Sequence, residues 1–227
     1  DIALTPAGRT FLQSTSRAIA ELDRAVEQGR RSVAAPRVTL TTFASFASMW
    51  LIPRLGELRA AAPDIEIDIG ATDRIVDLGG EGIDIAVRYL AIENARPDAE
   101  LLFEEVLFPL ASRDYLARAK KIRTVADLAS HTLIEAVGTG PGEARNSWPA
   151  FLDAHKVEAK SLRPALRLDF IAQGFQAARR SQGVAIAHTY GADQYMQDPE
   201  LVRALPMAYR PGAGTYLIVT PQSAQRP

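Results

Sequence analysis

Apolar residues in the stretch from Val38 to Ile69 change period twice. Val38, Leu40 and Thr42 alternate with Thr39, Thr41 and Phe43, which predicts a short strand. Leu51, Leu55, Leu58 and Ala62 recur at helical spacing, with Ser45 as the expected N-cap and Pro63-Asp64 as the stop. Ile65, Ile67 and Ile69 then alternate with Glu66 and Asp68, the pattern of a strand with one face buried. Strand, helix and strand make a βαβ unit, so a parallel sheet with a right-handed crossover is expected. Ligands of such sheets bind at the carboxyl ends of the strands, where helix N-termini present free N–H groups, here Thr41 to Ser48. Pro53 lies inside the predicted helix and is expected to bend it.

The same patterning organises the rest of the chain. Thr5-Pro6 reads as a helix start, and the helix is expected to run to about Arg31. Leu12, Ile19 and Val26 are spaced by sevens with Thr15 and Leu22 between them, a seam that wants a partner helix, while Arg17, Glu21, Arg24, Glu27 and Arg31 make the opposite face polar. Packing onto its own domain is the competing reading. Beyond the βαβ unit, a turn at Ile75 to Gly82 leads to a strand at Ile83, Ile85 and Val87 ending in Arg88, a polar loop, and a longer apolar run from Leu101 to Ala111. Helices follow at Ser112 and at Thr124, then strands at Thr132–Val137, Ala165–Asp169 and Val184–Ala187, with helices at Trp148 and Ile171. Gly138 to Glu143 reads as a loop from its Gly and Pro content. Leu201–Leu205 and Thr215–Thr220 are expected to return to the first lobe. The expected architecture is α/β, with two lobes joined by two crossings and preceded by a long helix. Residues 1–35 form the helical lead, lobe I spans 36–110 and 190–227, and lobe II spans 111–189. Hinged closure on a ligand suits such a clamshell.

A chain of 227 residues can hold one large or two small domains. Its net charge of -1 argues against this stretch gripping nucleic acid by itself. Cysteine is absent, which excludes disulfides, thiolate metal sites and a cysteine nucleophile. No apolar run approaches a membrane span, and no basic-then-apolar leader opens the sequence. Cytoplasmic residence is the default expectation, and with a start at Asp1 rather than methionine a fragment of a longer protein is expected.

Few residues carry obvious chemistry. The glycines at 138–142 lack the spacing and the Lys-Ser/Thr of a phosphate loop, and no Gly-x-Ser-x-Gly elbow is present. His131, His155 and His188 are far apart, without metal-ligand spacing. Glu104 and Glu105 face opposite sides of a strand and cannot act as a catalytic pair. No cofactor and no enzymatic activity are expected. His188 follows a strand directly and is placed near the lobe crossing, with a buried structural histidine as the alternative. Arg88 ends its strand at the crevice, where a guanidinium can hold a carboxylate bidentately; a salt bridge to Glu81 or Asp84 is the competing reading.

These residues resemble the LysR-type transcriptional regulators. Asp1 to Arg9, with Leu4-Thr5-Pro6-Ala7-Gly8, is similar to the end of that family's winged helix-turn-helix running into its linker helix. Ser45-Phe46-Ala47 followed by Trp50 to Leu55 resembles the opening of its effector domain. Ala71 to Leu78, then Glu81 to Arg88, is similar to the branch containing the glycine-cleavage activator, and Gln182 to Ala187 matches the strand returning toward the hinge. The resemblance implies a periplasmic-binding-protein-like effector domain that binds a small inducer between its lobes. It also implies promoter DNA bound by a winged helix-turn-helix lying before Asp1, and a homodimer or homotetramer. It places inducer contacts at Thr42, Phe43 and Ser45, at Thr72 and Asp73, at Arg88, at Val137 and Gly138, at Phe170 and Ile171, and at His188 and Thr189. Phe170-Ile171 departs from the small polar residues of many relatives, which suggests a smaller or partly apolar inducer; a carboxylate is the expected anionic end. Leu12, Thr15, Ile19, Leu22 and Val26 would pair the linker helices. A periplasmic solute receptor with the same clamshell shape is the alternative from another class.

Overall fold

A computed structural model describes residues 4–31, 36–74, 78, 82–138, 143–158, 164–221 and 223–224. The turn expected at Ile75 to Gly82 lies largely outside them, as do residues 1–3 and 139–142. Helix α1 spans Pro6–Arg31, and its start is as expected: Thr5 Oγ1 accepts the Gly8 N–H at 3.0 Å. Strand β1 (Arg37–Thr42) leads into a continuous helix of three parts, α2 (Ala44–Phe46), a π turn (Ala47–Leu51) and α3 (Ile52–Ala61). Strands β2 (Glu66–Ala71), β3 (Ile85–Ala91) and β4 (Ala99–Glu104) follow. The second half contains β5 (Phe108–Ser112), α4 (Arg113–Arg118), β6 (Leu133–Ala136), α5 (Trp148–Ala154), β7 (Leu166–Leu168), α6 (Ile171–Arg179), β8 (Val184–Ala187), α7 (Ala192–Gln197), β9 (Leu201–Arg203) and β10 (Ala213–Val219).

The strands form two five-stranded sheets, ordered β2-β1-β3-β10-β4 and β7-β6-β8-β5-β9. β1 runs parallel to β2 and β3, so the predicted βαβ unit is present. In each sheet the fourth strand, β10 or β5, is antiparallel to both neighbours. Each lies just beyond a crossing between the sheets, residues 105–107 and 204–212.

Two expectations change. The apolar run from Leu101 to Ala111 is two strands in different sheets: the chain leaves the first sheet after Glu104 and enters the second at Phe108. The strand at Leu201 does not return to the first lobe, because β9 pairs with the free edge of β5 (Leu110 with Arg203, Ser112 with Leu201). The second crossing is therefore at 204–212, not near residue 190. Pro53 is accommodated by the π turn immediately before it, a wider hydrogen-bonding pattern that tolerates a missing N–H.

The core continues from one lobe into the other. Phe43, Phe46, Met49, Val87 and Tyr89 of the first join Ile134, Ile171, Phe175 and Ala185 of the second in one apolar cluster. A separate cluster inside lobe II centres on Trp148, Phe151, Leu152 and Leu128, and the Trp148 indole N–H donates to the Ile134 carbonyl at 2.9 Å. Local start signals hold here too. Ser112 Oγ accepts the Tyr115 N–H at 3.0 Å, and the Asp127 carboxylate accepts the Thr124 N–H at 2.8 Å at the head of a 3-10 turn over Val125–Ser130.

Strand β8 is reached through Gly183 at φ 156°, where an added Cβ would lie 2.3 Å from the Thr132 carbonyl oxygen. That oxygen accepts the Val184 N–H at 2.8 Å, so it cannot move away without breaking the entry to the strand. Gly183→Ala is expected to cost about 1–3 kcal/mol, read as a lowered midpoint in urea unfolding.

Candidate functional site

Two helix N-termini meet where the lobes touch. Phe43, extended at φ -82°, precedes Ala44 and offers no side-chain cap, so the start of α2 has N–H groups to satisfy. Asp73, just past the end of β2, accepts the Ala44 N–H through Oδ1 at 3.4 Å. Ser45 is not the cap that the sequence suggested. It lies one residue inside the helix, is buried, and its Oγ accepts the Ala172 N–H of α6 at 3.2 Å. A hydroxyl at the head of one lobe's helix thus satisfies an orphan donor at the head of the other's.

Arg88 is half-buried beside this junction. It sits inside β3, which continues to Ala91, and does not end the strand as expected. Its guanidinium donates to Thr41 Oγ1 at 2.8 Å and to the Val87 carbonyl at 2.9 Å. Burial lowers its pKa, and the field of Asp73 works against that shift. The competing partner Asp84 is otherwise engaged, accepting the Thr39 N–H at 2.8 Å and the Ser223 hydroxyl at 2.6 Å. The bonds to Thr41 and Val87 use two of the five N–H groups that a guanidinium carries.

The remaining candidates divide. Thr72 donates its N–H to the Thr42 carbonyl at 2.7 Å, which ties the ends of β1 and β2 together. Thr42 is fully buried, and its Oγ1 has no partner among the described residues. Val137 and Gly138 are half-exposed beyond β6, with the Val137 N–H on the Leu168 carbonyl at 3.4 Å. Phe170 is exposed while Ile171 is buried. His188 is fully buried. Its Nδ1 lies 3.2 Å from Glu105 Oε2, and Glu105 Oε1 accepts the Thr189 N–H at 2.7 Å. The His188 Nε2 is buried without a partner among the described residues. The helix seam is set apart from this cluster: Leu12, Ile19 and Leu22 are exposed on α1, Thr15 Oγ1 returns to the Phe11 carbonyl at 2.8 Å, and the Val26 side chain lies outside the described set.

Sequence reasoning missed three buried polar groups. Glu105 was considered only as half of a catalytic pair. Tyr89 donates its hydroxyl to Asn146 Oδ1 at 2.7 Å, joining β3 to lobe II. Glu135 on β6 accepts the Trp148 N–H at 3.0 Å, and its pKa is raised by burial, with that hydrogen bond and Arg167 acting against the shift. Its position in an otherwise apolar strand, Leu133-Ile134-Glu135-Ala136, was the available signal.

This geometry matches a described family. Residues 31–227 match the model of the LysR substrate binding domain. The chain belongs to the LysR family. It is 27% identical over 201 residues to the glycine cleavage system transcriptional activator of Escherichia coli K12, covering 88% of this chain and 64% of that protein. It is also 27% identical over 187 residues to the transcriptional activator AmpR of Pseudomonas aeruginosa, covering 82% and 60%. The chain thus spans just under two thirds of the length of these relatives. The effector domain of Pseudomonas aeruginosa AmpR superposes with a TM-score of 0.63 at 24% identity, covering 83% of this chain and 90% of that one. CrgA of Neisseria meningitidis, a LysR-type regulator, gives 0.66 at 19% identity, covering 98% and 75%. The two-sheet α/β architecture is that of LysR effector domains, and the matches do not favour the periplasmic receptor alternative.

Glu135 gives this LysR domain a pH signature. A carboxyl with a raised folded-state pKa binds its proton more tightly in the native chain than in the unfolded one, so its contribution to stability falls as pH rises through the interval just above the ordinary carboxyl range. Glu135→Gln keeps an acceptor for the Trp148 N–H and removes the charge. The variant is expected to melt higher than the parent at pH 8, with the difference shrinking toward pH 4, as measured by calorimetric melts across that range.

Proposed function

We propose that this chain is the sensing part of a LysR-type transcription regulator, binding a small carboxylate inducer between its lobes. The observation that carries this is the junction at Ser45 and Ala172, where two helix N-termini meet beside the half-buried Arg88. Both helix ends favour negative charge. The Arg88 guanidinium supplies directional donors for a carboxylate, and exposed Phe170 and half-exposed Val137 supply apolar contact at the mouth. An inducer that replaces the Ser45–Ala172 bond interacts differently with open and closed lobes, and that difference is what shifts their equilibrium.

In this reading residues 36–227 are the inducer-binding domain and α1 is the dimerisation helix. Phe11, Leu12, Ile19 and Leu22 all have more than half of their surface exposed, a face that a second copy of α1 would cover. Promoter DNA would be bound through a segment outside this chain, which carries a net charge of only -1. The protein would act in the cytoplasm as a dimer or tetramer, without catalysis. Among the described residues no helix is long and apolar enough to cross a membrane.

Two measurements test the reading. A thermal-shift screen of small carboxylates supplies a ligand, and Arg88→Ala is expected to weaken its binding by about 10- to 100-fold, the worth of a charge-assisted hydrogen bond, with the melting temperature of the free protein little changed. Unchanged affinity by calorimetry removes Arg88 from the site. For assembly, Ile19→Glu together with Leu22→Glu is expected to halve the mass in light scattering; an unchanged mass assigns the contact to another surface.

A further inference from the structure

The segment from His188 to Gln197 leaves β8 of lobe II but touches both lobes and the crossing between them. At its start it is held by Glu105, the first residue after β4. Glu105 Oε1 accepts the Thr189 N–H at 2.7 Å, and Oε2 lies 3.2 Å from His188 Nδ1. Thr189 Oγ1 answers by accepting the Val106 N–H at 2.7 Å. The Glu105 and His188 side chains are 1% and 0% exposed, so this contact is dry. Removing one partner from such a buried hydrogen-bonded contact leaves the other unsatisfied, which is costly. Tyr195 secures the segment to lobe II. It is buried against the Phe175 and Phe108 rings, at 5.0 and 6.1 Å, and its hydroxyl accepts the His188 N–H at 3.4 Å.

The other face of the segment lies on lobe I. The Tyr190 ring sits 5.3 Å from Phe43 and 6.1 Å from Phe46, at the start of the helix that heads the crevice. Gly191 passes so close that a Cβ there would lie 2.7 Å from Met49 Cε and 2.6 Å from Tyr195 Oη. Asp193 forms an ion pair with Arg54, whose guanidinium stacks 4.6 Å from the Trp50 ring centre and also donates to the Trp50 carbonyl at 3.0 Å. Unlike the contact at Glu105 this one is wet, with the two side chains 32% and 64% exposed. An exposed pair is weak and screened by salt.

We propose that residues His188–Gln197 form a strap that sets the angle between the lobes, with a permanent buried anchor at Glu105 and a releasable clasp between Asp193 and Arg54. The asymmetry of the two contacts decides which one yields. Opening pulls α3 away from α7 and breaks the clasp, while the anchor stays closed and serves as the pivot. The strap needs no ligand to act, so its test does not depend on the inducer reading.

The absence of native cysteine makes the test direct. Spin labels placed through Glu57→Cys on α3 and Asp153→Cys on α5, in labelled chain diluted with unlabelled chain, report the lobe separation by pulsed dipolar spectroscopy. Arg54→Glu and Asp193→Arg are each expected to lengthen and broaden that distance, 1 M salt to do the same to the parent, and the double exchange to restore the parent distribution. The Thr189 amide is expected to keep its parental hydrogen-exchange protection in both single variants and to lose at least tenfold of it in Glu105→Ala, which removes its acceptor. An unchanged label distance in the single variants overturns the clasp. Failure of the double exchange to restore the distribution overturns the pairing. Loss of Thr189 protection in step with the label distance overturns the anchor.

Discussion

The two passages between the sheets are zipped to one another, and both lobes depend on that zip. Leu107 and Tyr209 exchange N–H and carbonyl bonds, both at 2.8 Å, and the Glu105 N–H reaches the Ala213 carbonyl at 2.8 Å. Leu107 is fully buried, so these bonds are made away from water, where an unpaired backbone group is expensive. Because the passages are held side by side, β5 and β10 emerge next to the strands they complete. Each sheet gains its antiparallel member from chain that has just crossed: the second sheet needs the first passage, and the first sheet is not complete until the second passage delivers β10.

The crevice inherits its chemistry from this arrangement. Parallel strands point their carboxyl ends the same way, and the helices that follow them begin at the crevice with unsatisfied donors. Lobe I answers with Asp73 and with Thr41 under Arg88, while lobe II offers Ala172 to Ser45. The Ser45–Ala172 bond joins the two helix starts across the lobes.

Features that were legible in the sequence are local ones. The strand–helix–strand unit from Val38 to Ile69, the starts at Thr5 and Ser112, and the paired residues Thr124 and Asp127 are each written within a few positions, where side chain and backbone meet without help from elsewhere. What was not legible depended on distant partners. Three residues of β9 carry no mark of which sheet they will edge, and Leu201 gains its place only from Ser112. Ser45 looks like a cap because caps are short-range, yet its partner is 127 residues away. His188 and Glu105 are separated by 83 positions, and neither sequence neighbourhood announces the other.

The π turn before Pro53 shifts the phase of the helix that heads the crevice. An α-helix advances by about 100° per residue, and a stretch of wider turn introduces an offset of that kind between the segments on either side. Residues 44–51 and 52–61 therefore do not share one continuous face. The first segment directs Ser45, Phe46 and Met49 inward, all buried, whereas none of the residues from Ile52 to Ala61 is buried. One helix thus has two differently aimed halves, an inner half buried in the core and an outer half only partly covered, through Leu55 on the core cluster and Arg54 on Asp193.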